Sequence, residues 1–408
     1  MVRLPIVRVK KGDTLILHGP ASALLIEGRA SVLGCPLAPR AKLIVKSWRS
    51  RPIYAERDFV ADITYGESGG YDIVEGDTIP DEWKVLAEKA SKSSSRVCVY
   101  GGVDSGKTTL ATLILNSMIK KQKFAVYLDL DLGQSNICPP TTVGYVSLRT
   151  PTFDISYHRM EGGEIVGYIS PMPLIEAHLK AVEKLIEVVS RKYGHVSASI
   201  DLDGWVSGDR AIEHKRALIR VLRPNYVASI GELPDELRRE CEMLGATYEV
   251  LPPPQEVRKR DQSARRKLRE LAYERFLRKS AIRRIPISWI NLKTLTNGAA
   301  LRDVMRYLEM LTQGYAEESI EPIERDVEKA LSDLAKNGIG VLSYLRSSPE
   351  TFAGIGLLID FNTREGIVRI LTPYRGQIKE IIVGAILLSV EGEEVYSNPK
   401  LFTLSSIS

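Results

Sequence analysis

A chain of 408 residues, 44% hydrophobic and 26% charged, is long enough for two or three domains and has the composition of a soluble globular protein, which excludes a fibrous or largely disordered one. No apolar run approaches the roughly 20 residues of a membrane span, and Lys10, Lys11 and Asp13 interrupt residues 1–17, so neither a membrane helix nor a signal peptide is expected. The formal charge of +5 is concentrated: residues 256–284 carry twelve Lys or Arg against four Asp or Glu, a net +8, which leaves −3 for the rest.

In chain order, residues 1–80 read as a small β domain. Short apolar runs in DTLILHGPASALLIEGRASVLG are punctuated by Gly and Gly-Pro, and no helical period is sustained. Residues 81–285 alternate helix and strand. DEWKVLAEKASKSSS is helical, RVCVY a strand, GKTTLATLILNSMIKKQ a helix and FAVYLDLDLG a strand. Further on, the helical patterns LIEAHLKAVEKLIEVVSRKY and RAIEHKRALIRVLR flank the strand VSASIDLDG, and YVASIGE is another strand. Such alternation predicts an α/β core with a mostly parallel, doubly wound sheet covered on both faces. Residues 286–408 return to short strands with one helix near IERDVEKALSDLAKNG; GIGLLIDFNTREGIVRILTP and EIIVGAILLSVEGEEV read as hairpins of a second β domain. Cys35, Cys98, Cys138 and Cys241 follow no metal-ligand spacing, and neither do the five histidines, so reduced packed thiols and no structural zinc are expected.

The stretch VCVYGGVDSGKTTLATLIL carries the chemistry. Gly101, Gly102, Val103, Asp104, Ser105, Gly106, Lys107 and Thr108, followed by Thr109, match G-x-x-x-x-G-K-[ST] between a predicted strand and a predicted helix, the context this pattern requires. Loop amides and the helix N-terminus would cradle phosphate oxygens, Lys107 would reach the β- and γ-phosphates, and Thr108 would ligate Mg²⁺. The next predicted strand ends in Asp129 and Asp131, which at period two point to one side of the sheet's carboxyl edge. One carboxylate suffices for a magnesium shell. A second, followed by Gly133 and Gln134, suggests a group that accepts a proton from an incoming hydroxyl. The basic segment has three readings at this point: a solvated face, a nucleic-acid contact, or a source of cations for an active-site phosphate.

Taken in order, GGVDSGKTT, DLDLGQS, GYISPMP and DLDGWVSGDRA resemble the polynucleotide 5′-hydroxyl kinase family, which includes the RNA kinase subunit of the pre-mRNA cleavage machinery and the nucleolar pre-ribosomal RNA processing kinase. The resemblance covers most of the chain. It implies a β-rich N-terminal domain at 1–80, a P-loop kinase domain at 81–285 with a basic lid at about 256–284, and a C-terminal β-rich domain at 286–408. It implies ATP and Mg²⁺ as cofactors, and as acceptor a 5′-hydroxyl end of RNA, with DNA left open as a second acceptor. Lys107 and Thr108 hold phosphate and metal, and Asp131 becomes the general base. Trp205 becomes the residue that stacks on a terminal base, a contact worth about 1–3 kcal/mol. From Arg260 onward the segment resembles the family's lid, with Arg260, Arg265, Arg266 and Arg269 at its arginine positions. Arg260 and Arg265 are assigned to the transferring phosphate, and Arg266, Arg269, Lys267 and Lys259, with Gln134 and Asp129, to the acceptor. Relatives often carry Asn-Thr before Gly-Trp, where this chain has Asp201, Leu202 and Asp203, so the hydrogen bonding around the acceptor differs.

Two other classes stay open: an ATP-bound scaffold subunit of an RNA-processing complex without turnover, and a P-loop ATPase or switch GTPase. The first is disfavoured by intact Lys107, Thr108, Asp131 and Arg265, and within the second the GTPase by the lack of an N-K-x-D element, since NLKTL at 291–295 lacks the aspartate. The expected compartment is the cytoplasm, or the nucleus in a eukaryotic source, with RNA-processing proteins as partners and no membrane.

Overall fold

The computed structural model describes residues 5–255, 260–296, 298–319 and 326–402. The chain divides into two compact units: Met1–Leu130 with Tyr145–Glu161 and Ile186–Ala264, and Asp131–Gly144 with Gly162–Leu185 and Arg265–Ser408.

The first unit opens with two antiparallel sheets. Ile6–Val9, Phe59–Tyr65, Ala21–Glu27 and Lys42–Val45 form one; Cys35–Leu37, Ala30–Val32, Ser50–Ala55, Thr14–His18 and Gly70–Val74 form the other. Phe59, Ala61 and Ile63 are buried while the residues between them are not, the period of a strand with one wet face. The first helix, Asp81–Ser91, leads into a sheet in which Ala125–Asp129, Ala198–Asp201, Arg96–Tyr100, Tyr226–Ile230 and Thr247–Leu251 are successive parallel neighbours. Every residue of AVYLD is buried, as expected of a strand covered on both faces. Helix Lys107–Gln122 follows the strand Arg96–Tyr100, and helices Asp209–Leu222 and Asp235–Leu244 follow the strands Ala198–Asp201 and Tyr226–Ile230. The four cysteines are buried, and burial pushes the thiols well above the ordinary range at Cys35, Cys98 and Cys241.

Asn116 ties the N-terminal sheets to this core. It is fully buried on the helix Lys107–Gln122, and its Nδ2 donates to the carbonyls of Leu33 (2.8 Å) and Thr152 (2.9 Å), while its Oδ1 accepts from Thr152 N (2.8 Å).

In the second unit, strands Ala281–Pro286, Ile367–Thr372, Thr351–Asn362, Ile339–Ser348, Glu380–Ser389 and Asn291–Thr294 form a sheet in that order, antiparallel except for the last pair, with Glu394–Ser397 beside Glu380–Ser389. Both predicted hairpins are present. The strand Ala281–Pro286 lies in this sheet although the sequence assigns residues 281–285 to the kinase segment. Among the described residues two α-helices accompany the sheet, where the sequence reading expects one. Besides Val327–Lys336 there is Leu301–Ser319, whose Val304, Leu308 and Leu311 are completely buried in the same core as Leu331, Phe361 and Ile381. Their spacing of four and three is the amphipathic period, overlooked amid the surrounding strands.

Replacing Asn116 by Leu strands three buried backbone partners. A loss of about 3 kcal/mol in stability is expected, given roughly 1–3 kcal/mol per orphaned group, and a thermal melt beside wild type checks it. An unmoved midpoint would show that Asn116 holds nothing.

Candidate active site

The loop between strand Arg96–Tyr100 and helix Lys107–Gln122 needs glycine at both ends. Gly101 has φ +156° and a Cβ there would lie 2.7 Å from Ser105 Oγ; Gly106 has φ +99° and would meet Trp83 Cη2 at 3.1 Å and Pro254 at 3.2 Å. Trp83 is itself fixed, fully buried with its Nε1 donating to Pro252 O at 2.9 Å. Asp104 adopts φ +57°, a left-handed conformation that aspartate tolerates better than most residues. Lys107 is buried and its ammonium donates to the loop's own Gly102 carbonyl at 2.7 Å, a contact that a bound phosphate would compete for. Ser105 Oγ is buried with no hydrogen-bond partner among the described residues, and with the amides of a helix N-terminus this is a cradle suited to phosphate oxygens.

Behind the loop stands a carboxylate that the sequence reading treats only as a departure. Asp201, 2% exposed, ends the strand beside the loop's own strand, and its Oδ2 accepts from Thr108 Oγ1 at 2.6 Å and from Tyr127 OH at 2.9 Å. Asp129 is fully buried and directly opposite Asp201 in parallel register. The signal was present: an acidic residue closing the apolar strand ASID beside the P-loop strand is the usual place for a carboxylate behind a phosphate-bound metal. Thr108, Asp201 and Asp129 together supply hard oxygen donors, which fit Mg²⁺. The placement of Asp129 suits this shell and not contact with a polymer. The strand ends at Asp129, so the period-two argument that put Asp131 on the same side does not extend to it.

The segment DGWVSG packs on the P-loop. A Cβ on Gly204 would lie 2.7 Å from Val103 Cγ2 and 3.1 Å from Val103 N. Trp205 is half-buried; its amide donates to Asp203 Oδ1 at 3.0 Å and its ring lies 5.6 Å from that of His214. Asp203 also accepts from Lys215 Nζ at 2.6 Å, with the side chains 4% and 0% exposed, a buried ion pair beneath the tryptophan turn. Burial, with the Asp203 charge, pushes the Tyr100 phenol up to about 12.

Arg260 is clamped to the P-loop. Its Nη1 donates to Asp104 Oδ1 at 2.7 Å, its amide to Asp104 Oδ2 at 3.0 Å, and its Nε to Trp48 O at 3.3 Å. Residues 256–259 of the basic segment, Lys259 among them, lie outside the described residues. Arg260 is followed by the helix Gln262–Leu277, which carries the other arginines.

In the second unit, Asp131 Oδ1 accepts from the amides of Gly133 (3.0 Å) and Gln134 (2.9 Å), which fixes the carboxylate in a tight turn. Gln134, expected at the acceptor, donates instead to Arg265 O at 3.0 Å and so joins the Asp131 turn to the basic helix. Arg269 is also engaged: it makes a bidentate pair with Glu394 at 2.7 and 2.8 Å. Burial, which alone would weaken the Arg269 charge, is outweighed by Glu394, which raises its pKa. Arg266 donates to Glu394 O and, with Lys267, to Glu270; the burial of that acid is outweighed, and its pKa falls. Arg266 and Arg269 thus anchor the helix to its own unit, a role set by a partner about 125 residues away that local spacing does not reveal.

Residues 101–279 match the family model described as the mRNA cleavage and polyadenylation factor CLP1 P-loop. A polyribonucleotide 5′-hydroxyl-kinase of Thermococcus kodakarensis is 28% identical over 341 residues, 78% of this chain and 95% of the relative. Another, of Pyrococcus horikoshii, is 25% identical over 340 residues, 78% of this chain and 93% of the relative. Among solved structures, a wild-type Clp1p–Pcf11p complex aligns at TM-score 0.67, covering 94% of this chain and 97% of that one at 14% identity, a likeness of fold.

Two variants test the site. Gly106→Ala forces a Cβ onto Trp83 at a left-handed φ and is expected to weaken nucleotide binding at least roughly tenfold by calorimetry, since strain of this kind costs about 1–3 kcal/mol. Lys215→Met leaves Asp203 charged and buried and is expected to destabilise by about 3–5 kcal/mol, most of it recovered when Asp203→Asn is added. Equal melting temperatures for the single and double variants would show the pair to be inert.

Proposed function

The chain belongs to the polynucleotide 5′-hydroxyl kinase family, and from that premise we propose that it transfers the γ-phosphate of ATP to the 5′-hydroxyl of RNA. The observation that carries this reading is the arginine clamp, in which the P-loop's own Asp104 holds Arg260 at the start of the basic segment. A P-loop that keeps an arginine of its own chain on Asp104 holds in reserve a cation that, once released as Lys107 is from Gly102, meets the charge that phosphoryl transfer spreads over equatorial oxygens. The names of the relatives supply the acceptor, a polyribonucleotide with a 5′-hydroxyl.

In this reading Lys107 leaves the Gly102 carbonyl for the β- and γ-phosphates, and the loop amides hold their oxygens. Thr108, Asp201 and Asp129 would hold Mg²⁺, which would supply charge neutralisation of the phosphates. Asp131, fixed by two amides, takes the proton of the 5′-hydroxyl as the oxygen attacks phosphorus, and Arg265 follows on the helix tied to its turn by Gln134. Trp205, held by Asp203 beside the P-loop, stacks on the terminal base. Protein partners of the RNA-processing type, such as the Pcf11p bound in the structural neighbour, suit the same reading.

The test is transfer of labelled γ-phosphate from ATP to matched 5′-hydroxyl RNA and DNA oligonucleotides. Wild type is expected to label RNA. Asp131→Asn is expected to lose roughly 10²–10⁴-fold in kcat, with the KM for ATP little changed, as befits a general base. Binding of ATP without labelling would leave a scaffold, and free phosphate in place of labelled oligonucleotide would make the protein a hydrolase.

A further inference from the structure

Strand Ala281–Pro286 begins four residues after the basic helix ends, and beside it lies a cavity of about 430 Å³ lined by Arg283, Arg284, Pro286, Trp289, Ile378 and Lys379 among others. No carboxylate lines it. Trp289, at the end of a short 3-10 turn, is 72% exposed, which is unusual for the largest apolar side chain, and Ile282 on the same strand is 59% exposed. Arg283 donates to the carbonyls of Gly376 (2.6 Å) and Tyr374 (3.3 Å), and Arg375 donates to Lys279 O at 3.1 Å. These bonds orient the guanidinium groups without cancelling their charge. Arg284 has only a loose, exposed pair with Glu365 at 3.8 Å, and Glu380, next to Lys379 in the chain, is turned to Lys293 at 2.7 Å.

We propose that this groove is a second binding surface for single-stranded RNA, in which a base stacks on Trp289 while Arg284 and Lys379 hold neighbouring phosphates. An exposed indole beside solvated cations, one of them with only a loose carboxylate partner, is the pattern of non-specific single-strand binding, since every base has a π-face and every linkage a negative charge. An acidic peptide would use the cations and leave the indole in water, so the aromatic favours nucleic acid. The groove engages the body of the acceptor and not its reacting end, and it rests on the reading of that acceptor as RNA.

The experiment measures anisotropy of a fluorescein-labelled oligouridylate of about 20 nucleotides against the full chain, with Trp289→Ala and the double variant Arg284→Glu/Lys379→Glu; all three side chains are exposed and outside the phosphate site. Each variant is expected to weaken binding roughly tenfold, and the double variant to lower the salt slope of log K by about 1.4, two phosphate contacts at about 0.7 each. In the transfer assay the KM for the long acceptor should rise while that for a dinucleotide and kcat stay unchanged. Affinities within about twofold of wild type, or equal losses for long and short acceptors, overturn the proposal. So does a result in which the variants lose a decaglutamate peptide and keep the RNA, which assigns the groove to an acidic protein segment. Anisotropy needs no turnover, so failure of the kinase reading and failure of the groove are read in separate arms.

Discussion

A buried carboxylate at the carboxyl edge of the parallel sheet sets the terms for the active site. Removing the charge of Asp201 from water costs several kcal/mol, and hydrogen bonds to a charged group return roughly 1.5–3 kcal/mol each. The hydroxyls of Thr108 and Tyr127 therefore offset much of that cost but leave little surplus. Asp129 opposite it in register adds a second acid in a dry place. Two carboxylates and a hydroxyl arranged in this way gain most from a divalent cation.

The P-loop in front of this cluster is held from three sides by contacts that its sequence motif does not contain. Trp83 and Pro254 pack against Gly106, the turn carrying Trp205 packs against Val103, and Arg260 is bound to Asp104. A loop fixed in this way presents its amides without reorganising when phosphate arrives, which is the condition for donors to favour a transition state. The buried Asp203–Lys215 pair serves the same end one shell further out, because it fixes the backbone on which Trp205 stands.

Legibility in the sequence followed the range of the interaction. The P-loop, the alternation of strand and helix and both C-terminal hairpins are local patterns, and each was readable from periodicity or a short motif. Asp201 is legible too, as an acid closing an apolar strand, although Asp129 and Asp131 form the denser acidic motif. The engagement of Arg269 by Glu394, of Arg260 by Asp104 and of Gln134 by the Arg265 carbonyl was not readable, because each joins residues 125 or more apart in the chain. The helix Leu301–Ser319 was missed for a different reason: its period was plain, and the strands around it set the expectation.

The +8 of residues 256–284 invites the conclusion that the basic helix is where a polyanion is held, and the pairing of its cations argues otherwise. Arg269 is cancelled by Glu394, and Arg266 and Lys267 share Glu270, so this stretch offers a polymer less than its formal charge. Arg283 and Arg375 are bound to carbonyl oxygens, which fix a guanidinium in place and leave its charge intact. A carboxylate partner removes a cation from the field that phosphates feel, and a carbonyl partner aims it. The charge available to a nucleic-acid chain is thereby displaced from the helix to the strand and loop that follow it, where the exposed Trp289 also stands.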